Sequence, residues 1–147
     1  MKKHIGAIGA GCFVGLASTL VFNILIGLLP DLKPESASVV AQLLNMGEYS
    51  AIHYSLIFYI CLLAPVAEEY FFRGLFWEFF EGVFNKKVAY LLTTVVFCLA
   101  HMELLHIISI MPLSLLFGWL RYKNKSIYFP LLAHMSNNIL ATIIFIY

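Results

Sequence analysis

An all-α bundle of about five transmembrane helices, with its amino terminus in the cytoplasm, is the fold this sequence predicts, and three observations carry it. Of the 147 residues, 62% are hydrophobic and only 12% are charged, whereas soluble domains hold about 45–50% apolar and about 25% charged residues. The apolar residues fall into five long runs. Basic residues gather where those runs end. One small core could not bury so much apolar surface, so lipid must solvate most of it. The length fits a single domain at about 150 residues each. It leaves room for four or five spans of about 20 residues, which excludes a large transporter.

The first run, Ile5 to Leu29, follows Lys2 and Lys3 and stops at Pro30-Asp31. It is longer than the roughly 7–15 apolar residues of a signal peptide, so a retained helix is expected. Gly11 and Gly15 inside it form a GxxxG, which permits close helix approach. Residues 30 to 50 hold Pro30, Pro34, Asp31, Glu35 and Glu48 and read as a polar connection, with a short surface helix from Ser36 to Met46. The second run, Ala51 to Phe80, is apolar but carries Glu68, Glu69 and Arg73. Pro65 withholds one backbone hydrogen bond and should kink this helix. Lys86 and Lys87 open the third run, Val88 to Met102, and a fourth begins near Leu104 or Ile107 and ends at Leu120. A basic patch, Arg121, Lys123 and Lys125, separates it from the fifth, Ile127 to Tyr147. The predicted organisation is one membrane domain over 1–147. Residues 1–50 supply a first span and connection, and 51–147 a four-helix catalytic core.

Orientation follows from the basic residues. With a cytoplasmic amino terminus, Lys2, Lys3, Lys86, Lys87, Arg121, Lys123 and Lys125 all lie inside and only Lys33 lies outside. Five spans then place Tyr147 on the far side. The expected location is a cell membrane, bacterial in type, with the site reached from the cytoplasm. Net charge is +1 and no basic stripe could follow a phosphate backbone, so nucleic acid is not an expected partner. Cys12, Cys61 and Cys98 form no CxxC pair and read as small core residues. Trp77, Trp119, Tyr122 and Tyr128 fit an aromatic belt at the membrane border. Glu103 and His106 read as loop residues, and His4 and His53 as span-end residues.

Ionisable groups at mid-bilayer cost roughly 2.5–3.5 kcal/mol each and therefore face a cavity, a partner or a pathway. Here they fall in three places: Glu68-Glu69 with Arg73, Phe97 with His101, and His134 with Asn138. Glu69 and Arg73 stand at i and i+4, the favourable order for a helical ion pair. Glu68 points about 100° away and is left for chemistry. Phe97 with His101, and His134 with Asn138, also share i,i+4 faces. His101 lies about 21 Å along its helix from Lys87, and His134 and Asn138 lie about 12 and 18 Å from Ser126. Glu68 reaches the same depth only if the second helix continues unbroken through Phe80, which predicts a helix about 40 Å long from His53. A carboxylate, two imidazoles and an amide at one depth suit hydrolysis of a carbonyl. Glu68, helped by His101, accepts the proton of a water; His134 and Asn138 donate hydrogen bonds to the oxyanion.

These three motifs, EExxxR from Glu68 to Arg73, FxxxH from Phe97 to His101 and HxxxN from His134 to Asn138, resemble those of the CAAX protease and bacteriocin-processing (Abi) family of intramembrane endopeptidases. The resemblance spans residues 64 to 138. It implies an all-helical membrane protease in which Glu68 and His101 activate water while His134 and Asn138 stabilise the oxyanion. Glu69, Arg73 and Phe97 are then supporting residues. The compact form resembles bacterial members linked to bacteriocin processing, self-immunity or peptide maturation.

No HExxH is present, and the expected mechanism needs no cofactor. The alternative is a divalent metal such as zinc on Glu68, His101 and His134. The expected partners are the lipid bilayer and a peptide or membrane-protein substrate. Two other functions compete with intramembrane endopeptidase. One is a non-catalytic immunity or scaffold protein of the same fold. The other is an ion-coupled carrier, which ranks last because the chain lacks the paired repeats such carriers show.

Overall fold

The computed structural model describes residues 2–29 and 51–146. The expected surface helix Ser36–Met46 lies outside the described residues. Five helices account for nearly all of those described, with no strand among them: α1 (Lys2–Leu28), α2 (Ala51–Val83), α3 (Lys86–Leu99), α4 (Leu104–Asn124) and α5 (Tyr128–Ile146). The all-α class therefore holds. Among the described residues, α2 and α4 are long and apolar enough to cross a membrane, and Ile5–Val21 of α1 is a shorter apolar stretch.

α2 is the long helix that the placement of Glu68 required, and it solves the problem of Pro65 without a break. Proline lacks an N–H and its ring crowds the carbonyl four residues back. Directly before it the helix widens into a π-turn, Tyr59–Leu63, in which the Ala64 N–H reaches the carbonyl of Tyr59. A regular α segment, Ala64–Glu69, carries the two glutamates. The helix then widens again over Tyr70–Phe76 before closing as α helix from Trp77. Such π-turns are rare and concentrate at functional sites.

α3 is shorter than its apolar run. Asn85 caps it, its side-chain oxygen accepting from the backbone N–H groups of Lys87 at 3.0 Å and Val88 at 3.1 Å, as a helix amino terminus requires. The other end falls at Leu99, not Met102. Ala100 and His101 form a turn, and Met102 takes a left-handed φ of 58° that a helix cannot accommodate.

The helices pack as α1 on α4 and α5, α3 on α4, and α2 against α3 and α5. Small residues set the closest approaches. A Cβ at Gly118 of α4 would lie 2.7 Å from the Tyr90 ring of α3, and one at Gly11 of α1 would overlap the Ala133 backbone of α5. Gly15 likewise has no room for a Cβ beside Asn137. The GxxxG of α1 is thus a contact surface. A small apolar core of Ala7, Leu113, Phe117, Leu120 and Ala133 joins α1, α4 and α5. The outside is equally apolar: Phe13, Leu20, Ile52, Phe79, Leu91 and Val95 are all exposed, the inversion expected where lipid is the solvent. Trp77 corrects the aromatic-belt expectation. It is buried, donating from Nε1 to Glu81 at 2.5 Å, while Trp119 and Tyr128 remain exposed.

Candidate active site

The site is assembled from α2 outward. Glu69 and Arg73, one helical turn apart, meet at 3.1 Å between Oε1 and Nη1, and both are essentially inaccessible. Arg73 spends its second nitrogen, Nη2, on Ser114 of α4, donating to its carbonyl at 3.2 Å and its hydroxyl at 2.9 Å. Ser114 in turn donates to the Thr94 carbonyl of α3 at 3.1 Å. The guanidinium lies over the Phe97 ring, 4.2 Å from its centroid. A planar, five-donor cation is suited to such a junction, and one side chain thereby ties α2 to α3 and α4. Within the wide π-turn, the carbonyl of Arg73 accepts from Nε of Arg121 at 2.9 Å.

Glu69 also holds His134 of α5. The same Oε1 lies 3.0 Å from His134 Nδ1. A carboxylate accepts, so Nδ1 carries the hydrogen and Nε2 is the nitrogen turned toward the remaining space. There it faces Glu68, whose Oε2 is 3.7 Å away. That distance is beyond a direct hydrogen bond. Phe117 stacks on the imidazole at 4.7 Å and an interplanar angle of 21°, which fixes the ring plane. Glu68 is partly open, with 34% of its side chain exposed, against 1% for Glu69. The division of labour read from helical geometry is therefore the arrangement found: Glu69 in the ion pair, Glu68 accessible. The contact between Glu69 and His134 was not anticipated. Spacing within one helix carries no information about a partner 65 residues away.

His101 departs from the expectation that it shares a helical face with Phe97. It sits in the turn beyond α3, where its Nδ1 donates to the Phe97 carbonyl at 3.0 Å and closes the helix end. That bond assigns the hydrogen to Nδ1 and leaves Nε2 as the acceptor. The Phe97 ring separates the two histidines, 5.1 Å from His101 and 5.9 Å from His134. No ion pair joins His101 to Glu68 among the described residues. His106, expected in a loop, lies in the first turn of α4 with its ring 4.8 Å from that of His101.

Asn138 completes the α5 face. Its Nδ2 donates to the Ile60 carbonyl at 2.9 Å, inside the first π-turn of α2, and its Oδ1 accepts from Asn137 at 3.1 Å. The structure thus gathers Glu68, Glu69, Arg73, Phe97 and His134 into one contact network. His101 sits at its edge behind Phe97, and Asn138 lies one turn along α5. Among the described residues no group of three His, Cys, Asp or Glu side chains is placed to hold a metal ion; Glu69 uses His134 Nδ1 and leaves Nε2 free, as a carboxylate beside a metal-ligating histidine also does.

Residues 50–140 match the family model described as type II CAAX prenyl endopeptidase, Rce1-like. The chain belongs to the Rce1-like family. No curated protein and no solved structure matches it. The matched segment contains every residue of the EExxxR, FxxxH and HxxxN motifs and leaves out α1. Family membership together with the apolar helices makes this a membrane protein, and the Rce1-like family is one of CAAX-type intramembrane proteases.

Proposed function

We propose that this Rce1-like protein is an intramembrane endopeptidase in which Glu68 and His101 activate water and His134 and Asn138 stabilise the oxyanion. The observation that carries the reading is the pairing of an accessible Glu68 with His134 across 3.7 Å, backed by the buried Glu69–Arg73 pair. An oxygen atom about 2.8 Å from both Glu68 Oε2 and His134 Nε2 fits beside the line joining them. Glu68 accepts a proton from water as the water attacks the scissile carbonyl. In the oxyanion role His134 presents an N–H at Nε2, while Glu69 holds the N–H at Nδ1. Asn138 has a second Nδ2 hydrogen beyond the one given to Ile60, and this supplies the other oxyanion donor. His101, beyond the Phe97 ring, offers its bare Nε2 as an acceptor that acts through an intervening water. The proton taken up by Glu68 is returned to the leaving amine.

Access from the basic, cytoplasmic side is supported by a cavity of about 280 Å³ lined by Tyr70, Gly74 and Glu78 of α2, by Arg121, and by Lys125 and Ile127 of the α4–α5 connection. It opens between α2, which carries Glu68, and the connection that leads into α5, which carries His134. About seven residues of α5, or about 10 Å, separate its rim from the imidazole.

A farnesylated quenched-fluorescence peptide ending in Cys-aliphatic-aliphatic-X, offered in liposomes beside its unprenylated twin, tests the activity. Cleavage on the carboxyl side of the cysteine is expected, identified by mass spectrometry, and a strong chelator should leave the rate within about twofold. Activity lost on chelation and restored by Zn²⁺ would reject the metal-free mechanism. Absence of cleavage of either peptide by folded protein would favour the non-catalytic scaffold.

A further inference from the structure

The residues of α5 that face the site alternate with residues that face α1. His134 and Asn138 are one i,i+4 pair; Ala133 and Asn137, each one position earlier, form the neighbouring pair. Gly11 and Gly15 of α1 dock on that second pair, Gly11 on the Ala133 backbone and Gly15 on the Asn137 side chain. Both glycines are buried. Ser136 adds a hydroxyl contact to the Ile8 carbonyl at 3.4 Å. α1 lies outside the family-matched segment, yet it abuts the residues immediately before His134 and Asn138.

An asparagine amide presents a donor on one side and an acceptor on the other, and rotating it by half a turn exchanges them. At an oxyanion site that exchange replaces an attractive N–H by a repulsive oxygen. Two bonds set the orientation of Asn138: the Ile60 carbonyl requires its N–H, and the Asn137 N–H requires its oxygen. Asn137 can make its bond only while its own amide rests on the bare backbone of Gly15. A methyl group there would overlap Oδ1 and lie 2.8 Å from Cγ.

We propose that Asn137 is a positioning residue that locks the Asn138 amide with its N–H toward the oxyanion, and that α1 holds Asn137 in place through Gly15. The proposal rests on the role of Asn138 given above. It makes the first helix part of the catalytic apparatus without a side chain of its own in the site.

The test is a kinetic cycle on the farnesylated peptide with full-length protein. Asn137→Asp keeps the size of the side chain and removes the N–H, so kcat should fall about tenfold to a hundredfold with KM nearly unchanged. Loss of an oxyanion donor outright costs about 10²–10³. In an Asn138→Ala background the same change should cost less than about twofold, because the residue it positions is gone. Gly15→Ala should reproduce the kcat effect. Asn137→Asp leaves the helix contact uncrowded, so the cycle stays readable even if Gly15→Ala fails to fold. Equal losses in both backgrounds, or an unchanged kcat for Asn137→Asp, would overturn the proposal. Cleavage retained by Glu68→Gln is a separate outcome that removes the catalytic reading itself.

Discussion

Glu68→Gln should abolish peptide cleavage and leave the protein as stable as before. Of the two adjacent carboxylates, Glu68 has its side chain about one-third exposed and makes no contact closer than 3.7 Å to His134, whereas Glu69 is enclosed and committed to Arg73 and His134. A partly exposed carboxylate is available as a base; one enclosed by the fold, with an arginine and an imidazole both on its Oε1, is not. Glutamine preserves the shape and removes only the basicity. General-base catalysis contributes about 10²–10⁴ in rate, and a loss of that order is expected in kcat for the farnesylated peptide. Because Glu68 carries no hydrogen bond that the fold depends on, the thermal midpoint in detergent should stay close to the parent value. A variant that folds and cleaves at the parental rate would assign the chemistry to another residue.

Arg73→Met should produce the opposite phenotype, a protein that fails to hold its shape. The guanidinium is fully enclosed and ends on Glu69, on two atoms of Ser114 and on the Phe97 ring. Methionine fills much of the volume but leaves the Glu69 carboxylate buried without its guanidinium. Breaking a buried pair from one side costs about 3–5 kcal/mol, a large part of the usual margin of stability. Unfolding in detergent should therefore shift to markedly lower temperature. Changing both partners, Glu69→Gln with Arg73→Met, should recover a substantial part of that loss, since no unpaired charge remains. Losses that simply add in the double variant would show that the pair is not a coupled unit. Neither variant should support cleavage at the parental rate, because His134 loses the charge arrangement that orients it.

Much of the architecture was legible because bilayer physics writes it coarsely. Long apolar runs bounded by lysine and arginine gave all five helices to within a few residues. The i,i+4 rule separated Glu69 from Glu68 correctly, because that rule concerns neighbours on one helix. What escaped was information that does not lie along the chain. His101 looked helical because Phe97 stands four residues before it. A histidine that caps a carbonyl and one that continues the helix have the same spacing; only the left-handed Met102 decides between them. Trp77 was expected at the membrane border, since hydropathy cannot distinguish an indole facing headgroups from one covered by Arg121, whose guanidinium lies 5.5 Å from its ring. The GxxxG of α1 was visible, but its contact with the HxxxN helix needed the fold.

The two π-turns of α2 have a consequence for how such a site is tuned. Ala64–Glu69 is a short regular segment coupled at each end through a loosened turn, so a surplus residue on either side is taken up without turning it. A π-turn is in effect one surplus residue absorbed by a helix that otherwise keeps its course. Deleting a single residue within Tyr59–Leu63 would restore α winding there and leave span length almost unaltered. The surplus residue is taken up inside the turn, so the faces upstream of Pro65 and those of the glutamates would keep their relation to one another. In this helix a residue gained or lost beside Pro65 is absorbed locally, and the face that carries Glu68 and Glu69 is insulated from it.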